Sequence, residues 1–181
     1  MPLAVLLQNK MELRCLTDDA ELVRAVQKLN LGVLPVQPPA FCYRRATRDD
    51  NRLSWAALVP GGAAGSVVGG AAIAELETER NGQRVVQLRT LAVEARYRRQ
   101  GIGRKLVMQI IQQAKELEQG EDEEGSEEAK AVSCVRLHMH AGNEDALGFY
   151  TQLGFTEQAR IEDYYRHLEP RTALVMQYTL P

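Results

Sequence analysis

The sequence predicts an α/β protein in which a mixed sheet of seven strands carries helices on both faces. Three observations lead to this fold class. A chain of 181 residues matches one domain and can bury about 70% of its unfolded surface without disulfides or metals. Its 45% hydrophobic and 25% charged residues are typical of a globular protein. Segments that alternate apolar and polar residues are interrupted by segments with helical spacing, in the order β-α-β-β-β-α-β-α-β-β.

The first part of the chain is predicted to contain a strand, a helix and a loop. Residues 11–17 alternate apolar and polar side chains, as strands do. Asp18 or Asp19 can cap the helix that follows, because a carboxylate accepts hydrogen bonds from the unpaired N–H groups of a first helical turn. The apolar stripe of that helix consists of Leu22, Val23, Val26 and Leu29. Residues 31–40 contain three of the seven prolines and are predicted to form a loop.

Three strands then follow as a meander. Residues 53–59 and 66–76 are predicted to form a hairpin around the turn Pro60-Gly61-Gly62. The turn Asn81-Gly82 leads into a third strand at residues 84–93.

A long helix and a hydrophilic segment come next. After Gly101 and Gly103 the apolar residues recur at helical spacing. They are Ile102, Leu106, Val107, Ile110, Ile111, Ala114 and Leu117. Residues 116–130 contain eight acidic residues and cannot pack into a core. We therefore predict a flexible, solvated acidic insertion at about 118–130 within a single domain, residues 1–181.

The remainder of the chain is predicted to add three strands and a short helix. The strands are residues 132–140, 155–161 and 172–180. The helix, residues 143–153, ends at Gly154, because glycine adopts the left-handed conformation that terminates helices.

Charge and cysteine content exclude several classes of protein. With 22 Lys and Arg against 24 Asp and Glu, the net charge is −2, without the basic excess of a nonspecific nucleic-acid binder. Three cysteines without CxxC spacing argue against a disulfide framework or a zinc ribbon. The apolar run at residues 3–7 is too short for a signal sequence, and no stretch reaches the roughly 20 apolar residues of a membrane span. We expect a reduced, cytoplasmic protein with no nucleic-acid or membrane partner.

The most informative segment is residues 91–106, in which a predicted strand runs through residues 98–103 into a helix. Glycines at such a junction let backbone N–H groups converge on an anion, and the helix N-terminus adds positive potential. Arg98, Arg99 and Arg104 are cations suited to phosphate oxygens. A P-loop does not fit, because no Lys-Ser or Lys-Thr follows, and a dinucleotide loop lacks its third glycine at Leu106. The alternative is a helix start with a solvated arginine cluster.

Residues 98–103 fit the pattern R/Q-x-x-G-x-G/A, and residues 143–155 combine Asn143 with Tyr150 in the short predicted helix. These two motifs resemble the pyrophosphate loop and the coenzyme A segment, with its asparagine and tyrosine, of the GNAT superfamily of N-acetyltransferases. The resemblance implies the GNAT acyl-CoA N-acyltransferase fold and acetyl-CoA as co-substrate, with no metal. The side chains and loop residues that it assigns to acetyl-CoA are Arg98, Arg99, Gln100, Gly101, Ile102, Gly103, Arg104, Asn143 and Tyr150. We expect the backbone N–H of Leu91 or Val93 to polarise the thioester, because oxyanion stabilisation needs fixed donors.

Four segments carry a narrower resemblance: Leu34-Pro35-Val36, residues 97–103, Leu137-His138 and Tyr164-Tyr165-Arg166-x-Leu168-Glu169-Pro170. Together they resemble the NatE-type catalytic subunits of N-terminal acetyltransferases, over almost the whole chain from Met11. This resemblance implies acetylation of the α-amine of methionine-initiated peptides, Met-Leu peptides among them. The residues that it assigns to the peptide are Leu34, Pro35, Val36, Tyr164, Tyr165 and Leu168. The implied partners are protein N-termini and a larger N-terminal acetyltransferase complex at the ribosome.

The chain departs from this pattern at Gln87, where the family has a catalytic tyrosine. A neutral amide cannot take a proton from an ammonium, so we expect His138, with an ordinary pKa near 6.5, to be the base and Gln87 to orient a water. The demand is modest, since an α-amine with a pKa of about 8 is roughly one-fifth neutral near pH 7.4. Tyr150 is the expected hydrogen-bond donor to the leaving thiolate.

Several of these assignments have alternatives. Tyr150 can be a core aromatic, Asn143 a helix cap, and Tyr164 and Tyr165 strand-end aromatics. Glu94 is the second candidate base, made a poor one by nearby arginines. For the function as a whole, one alternative is a GNAT acetyltransferase for another amine, such as a lysine side chain or a small amine. The other is a catalytically weak binding subunit of an acetyltransferase complex.

Overall fold

The computed structural model describes residues 11–61, 65–119 and 131–181. The strands are β1 (Glu12–Cys15), β2 (Trp55–Pro60), β3 (Ser66–Thr78), β4 (Arg84–Val93), β5 (Val132–His140), β6 (Thr156–Ile161) and β7 (Ala173–Thr179). The helices are α1 (Ala20–Val33), α2 (Ala40–Thr47), α3 (Ile102–Gln119) and α4 (Glu144–Gln152), with a 3-10 turn at Ala95–Tyr97. The sheet order is β1-β2-β3-β4-β5-β7-β6. The β4–β5 pair is parallel, whereas β1–β2, β2–β3, β5–β7 and β6–β7 are antiparallel. The predicted seven-stranded mixed sheet is confirmed.

The predicted element boundaries are correct where the local signal is strong. Strands β4 and β5 occupy the predicted residues 84–93 and 132–140. Of the two candidate caps of α1, Asp19 is the one used: its side chain accepts a hydrogen bond from Leu22 N at 2.9 Å. Helix α4 is followed by Gly154 with a φ of +95°, as a helix-terminating glycine requires.

One helix is missing from the prediction. The sequence predicts a loop over residues 31–40, but α1 continues to Val33 and α2 begins at Ala40, so that prediction is wrong at both ends. Helix α2 has eight residues, and a helix of that length is marginal without tertiary contacts. It is stabilised by the burial of Cys42, Tyr43 and Ala46. The segment is too short and too charged for these three residues to form a recognisable helical pattern in the sequence.

The described residues group into two compact units. The first lies within residues 1–75 and 89–113. Its core joins one face of α1 and α2 to strands β2 and β3. The buried members of this core are Leu16, Leu22, Val23, Val26, Cys42, Tyr43, Ala46, Ala56, Leu58, Ala71 and Ile73. In the same unit Glu75 accepts hydrogen bonds from Arg45 Nη1 at 2.8 Å and Arg89 Nε at 2.5 Å. Burial works to raise the pKa of Glu75, but the two guanidiniums outweigh it and hold that pKa below its ordinary value.

The second unit lies within residues 76–88 and 114–181. Its buried side chains lie along β5 and continue on β7. They include Val132, Cys134, Val135, Leu137, Met139, Leu174 and Met176. On the partly exposed face of β5, Arg136 forms an ion pair with Glu79 and a weak hydrogen bond with Gln177. This leaves β5 with one apolar face for packing and one polar face that also carries His138.

Some predictions fall wholly or partly outside the described residues. Helix α3 extends to Gln119, so the predicted acidic insertion overlaps its last residues, and residues 120–130 are not described. Residues 1–10, with the apolar run at 3–7, and residues 62–64 are also outside. No helix in the described ranges is both long and apolar enough to span a membrane. All three cysteines are described, and each is a free, buried thiol.

Two glycines of β3 let the segment after β4 approach the sheet closely. Gly69 O accepts a hydrogen bond from Glu94 N at 2.9 Å. A Cβ at Gly70 would lie 2.7 Å from Cγ2 of Ile102 and 3.1 Å from the carbonyl oxygen of Ala92. A β3 without glycine here would push away the start of α3.

We expect Gly70→Ala to lower the free energy of unfolding by about 1–3 kcal/mol, since the added methyl overpacks against Ile102 and a backbone oxygen. Gly148→Ala is the matched control: apart from its chain neighbours and its own helix backbone, no described atom lies within 4 Å of its added Cβ, and alanine favours helix. That variant should gain up to about 1 kcal/mol. Urea denaturation of the full chain measures both changes. Equal midpoints for the two variants would contradict the close packing at Gly70.

Candidate active site

The predicted anion-binding loop connects β4 to α3 in the first unit. Arg98 is extended, whereas Arg99 and Gly101 have left-handed φ angles of +59° and +81°. Helix α3 begins at Ile102, directly after Gly101. Left-handed residues next to right-handed or extended ones turn successive N–H groups toward a common point, and the helix N-terminus adds positive potential there. This backbone can cradle an anion.

The three arginines of this loop are not equivalent. Arg98 donates from Nε to Val93 O at 3.1 Å, so its guanidinium folds back on the end of β4. It also lines a cavity of about 960 Å³ in the first unit, together with Glu94, Lys28 and Arg14. Like Arg98, Arg99 and Arg104 are exposed. Arg99 and Arg104 are not bonded to the end of β4, so they are the cations of the loop that can follow a ligand.

The end of β4 extends beyond its ladder with β5. That ladder runs from the pair Arg84–Val132 to the pair Leu88–Leu137, while β4 continues to Val93. Leu91 and Val93 thus lie past the last residue that pairs with β5 and are half-buried. Backbone groups in such a position can donate to a ligand without breaking that ladder.

His138 of the second unit is fixed by two neighbours. Gln87 Nε2 lies 3.3 Å from His138 Nδ1, and the Gln87 residue is only 4% exposed. The Tyr164 ring stacks on the imidazole with centroids 5.2 Å apart and planes inclined by 10°. Gln87 therefore contacts the imidazole directly. The ring is held along one edge and one face.

The segment between β6 and β7 is attached to β5 through a second aromatic pair. The Tyr165 ring meets the His140 imidazole edge-on at 5.5 Å and the Tyr164 ring at 4.9 Å. A carbonyl can only accept, so His140 donates from Nε2 to Pro170 O at 2.6 Å. Burial, aided by Tyr164, raises the pKa of Tyr165 to about 12. The Tyr165 hydroxyl stays protonated at neutral pH and can donate. His140, bonded to the Pro170 carbonyl, has a structural role.

Tyr150 and Asn143 lie on or next to α4 in the same unit. Tyr150 is 8% exposed and packs between the rings of Phe149 and Phe155, at 5.0 and 5.4 Å. Burial raises its pKa well above the ordinary value, and its hydroxyl has no hydrogen-bond partner among the described residues. Tyr150 is thus both a core aromatic and a protonated donor. Asn143 Oδ1 accepts from Ala146 N at 3.0 Å, so Asn143 caps α4.

The predicted peptide residues of the first unit form the loop after α1. Leu34 is half-buried, Pro35 is exposed and Val36 is 49% exposed. Gln37 was not among the predicted residues, and its Nε2 donates to Asn30 O and Leu34 O at 3.1 and 2.8 Å. The signal that could have found it is its place, four residues after a helix end that leaves carbonyls unpaired.

The structure brings the predicted residues together in several groups. Gln87, His138, Tyr164 and Tyr165 form one cluster of the second unit, and Leu168 is half-buried in the segment that carries the tyrosines. Leu91, Val93 and residues 98–104 lie in one stretch of chain in the first unit. The carboxylate of Glu94 is engaged by Arg96 Nε at 2.7 Å. Among the described residues no three His, Cys, Asp or Glu side chains are grouped so that they could hold a metal ion.

Comparison with known proteins shows related chains. A family profile described as Acetyltransferase (GNAT) domain matches residues 50–157. The chain is 30% identical over 98 residues to N-alpha-acetyltransferase 50 of Danio rerio, covering 54% of this chain and 51% of that protein. It is 31% identical over 114 residues to the probable N-acetyltransferase san of Drosophila melanogaster, covering 63% and 55%. The match thus spans about half the length of these two relatives.

The fold is similar to that of a solved plant protein. Arabidopsis thaliana Naa50, in complex with the bisubstrate analogue CoA-Ac-MVNAL, superimposes with a TM-score of 0.75 at 25% identity. The superposition covers 94% of this chain and 99% of that one.

Proposed function

Because the chain belongs to the family of acetyltransferase (GNAT) domains, we propose that it is an N-terminal protein acetyltransferase of the NatE type. It transfers the acetyl group of acetyl-CoA to the α-amine of peptides that begin with methionine, by direct attack of the amine on the thioester. The observation that carries this proposal is the imidazole of His138, which contacts Gln87 and stacks on Tyr164. In support, one relative is named an N-alpha-acetyltransferase, and another forms a complex with an analogue whose peptide begins Met-Val.

Acetyl-CoA supplies an activated acetyl thioester, and its pyrophosphate suits the loop between β4 and α3. The left-handed residues Arg99 and Gly101 shape a concave row of N–H groups at the start of α3. The exposed Arg99 and Arg104 add positive charge. The backbone N–H groups of Leu91 and Val93 are the proposed donors to the thioester oxygen.

His138 is the proposed acceptor of the proton that the amine loses. A 180° rotation of the Gln87 amide exchanges its donor NH₂ and its acceptor oxygen at His138 Nδ1. With the oxygen toward Nδ1, the imidazole keeps its proton on Nδ1 and receives the amine proton at Nε2. The same oxygen accepts from Nδ1–H before and after this transfer. Gln87 thus serves both charge states of His138 without taking a proton itself.

Tyr150 is the proposed hydrogen-bond donor to the leaving thiolate of coenzyme A. Its burial keeps the phenol protonated, and its hydroxyl is not committed to another described residue. Asn143, whose Oδ1 caps α4, retains its amide NH₂ for a ligand. Within this proposal the reaction takes place in the cytoplasm, on free or nascent protein N-termini and with a larger N-terminal acetyltransferase complex at the ribosome as the partner.

We expect Gly101→Glu to abolish acetyl-CoA binding, because it strains a φ of +81° and places a carboxylate in the anion-binding loop. Isothermal titration of the full chain measures the affinity. Gly82→Glu introduces the same side chain at a φ of +79° in the turn before β4 and should bind acetyl-CoA normally. Unchanged affinity in Gly101→Glu would show that the pyrophosphate lies elsewhere.

Peptides beginning Met-Leu are expected to exceed those beginning Ser or Asp-Glu by at least about tenfold in kcat/KM, worth about 1.4 kcal/mol. The physical reason is that Pro35 and Val36 offer an exposed apolar surface suited to the unbranched methionine side chain. A Met-Leu peptide with a blocked α-amine and a free lysine is the control. Turnover of that control would favour lysine acetylation, and equal rates on Ser-initiated peptides would favour another N-terminal class. Acetyl-CoA binding without turnover on any amine would favour the binding-subunit alternative.

His138→Ala is expected to lower kcat by about ten- to a thousandfold, with little change in acetyl-CoA affinity. The loss is limited because part of the α-amine is already neutral, so the residual rate should rise with pH toward the amine pKa of about 8. The exposed His167 is the control, and His167→Ala should keep wild-type kcat. Wild-type kcat at pH 7 in His138→Ala would leave Glu94, or no base, as the better account.

A further inference from the structure

The loop after α1 begins where helical hydrogen bonding ends. The last carbonyls of any helix lack partners within the helix. In α1 one of these, Asn30 O, accepts from Leu34 N at 2.9 Å and from Gln37 Nε2 at 3.1 Å. The backbone carbonyl of Asn30 therefore joins the helix end both to the start of the loop and to a side chain beyond it.

The amide of Gln37 also closes the loop on itself. Its Nε2 donates to Leu34 O at 2.8 Å, so its two protons reach the carbonyls of Asn30 and Leu34. Pro35 has no N–H to donate, and among the described residues no backbone hydrogen bond is found from Val36 N or Gln37 N. Gln37 is thus the donor that holds the path of Leu34–Val36.

Asn30, whose carbonyl accepts from Gln37, is itself held in place. The Asn30 side chain is fully buried, and its Nδ2 donates to the Tyr43 hydroxyl of α2 at 3.1 Å. Asn30 therefore contacts the loop through its backbone carbonyl and α2 through its side chain. A loop held in this way keeps its exposed apolar side chains in place before a ligand arrives.

We propose that Gln37 is a positioning residue for peptide recognition: its amide holds Pro35 and Val36 in the arrangement that receives the first side chain of the peptide. This inference rests on the proposed function, since it needs a peptide substrate at this loop. Because the loop is ordered before the peptide arrives, peptide binding does not carry the entropic cost of ordering it. Loss of the Gln37 amide should therefore raise the KM for the peptide. It leaves the chemical step unchanged because Gln37 contacts no reacting group.

The kinetic test uses Gln37→Ala and Gln37→Glu in the full chain. Glutamate keeps the length of the side chain but replaces the donor by a carboxylate facing two carbonyl oxygens. Both variants should raise the KM for a Met-Leu peptide by about three- to thirtyfold and narrow the preference for Met over Ser. The kcat should stay within about twofold and the KM for acetyl-CoA should not change. Gln27→Ala, at an exposed glutamine of α1, should behave as wild type.

A second measurement separates this inference from the proposed function. All native cysteines are buried, so a nitroxide attached to Val36→Cys reports on the loop alone. Its spectrum should show restricted motion when Gln37 is present and faster motion when Gln37→Ala is added. Restricted motion in both, or an unchanged peptide KM in an active enzyme, would overturn the role of Gln37. A wild-type chain that turns over no peptide would overturn the proposed function and the recognition role, while the spectra would still decide whether Gln37 holds the loop.

Discussion

The parallel ladder between β4 and β5 determines which side chains of the second unit can meet. Its register places Gln87 opposite Arg136 and Leu88 opposite Leu137. Because side chains alternate along a strand, Gln87 and His138 then emerge on the same face. A shift of one residue would send Gln87 to the other face and remove its contact with the imidazole. The ladder ends at Leu88, whereas β4 continues to Val93 and from there leads into the loop that precedes α3.

Most polar side chains clustered in the second unit are unsuited to accept a proton near neutral pH, two of them because they are buried. Tyr150 and Tyr165 both have raised pKa values, so neither phenol becomes a base near neutral pH. Gln87 is an amide, and His140 donates its Nε2 proton to a backbone carbonyl. Among the residues clustered there, His138 is the group whose chemistry suits the reversible gain of a proton.

The parts of this molecule that sequence predicts are those with a local cause. Strand β5 alternates apolar and polar residues over most of its length, β4 follows the turn Asn81-Gly82, and Gly101 before α3 marks a turn that other residues disfavour. Helix α2 was missed because its stability comes from the burial of Tyr43 and its neighbours. The Gln87–His138 contact joins residues 51 positions apart and depends on strand register, which no local pattern encodes. Gln37 was missed because a side chain bonded to backbone carbonyls leaves no trace in hydropathy.

Because all three thiols are buried, their reaction with a reagent in solution reports on local opening of the native chain. Cys15, Cys42 and Cys134 are 7%, 2% and 1% exposed, and burial raises the pKa of Cys42, which suppresses its reactive thiolate. An aqueous thiol reagent reaches these sulfurs only when β1, α2 or β5 opens. Cys15 and Cys42 belong to the first unit and Cys134 to the second. The order in which a mass spectrometer finds them labelled therefore ranks the two units by the ease with which each one opens.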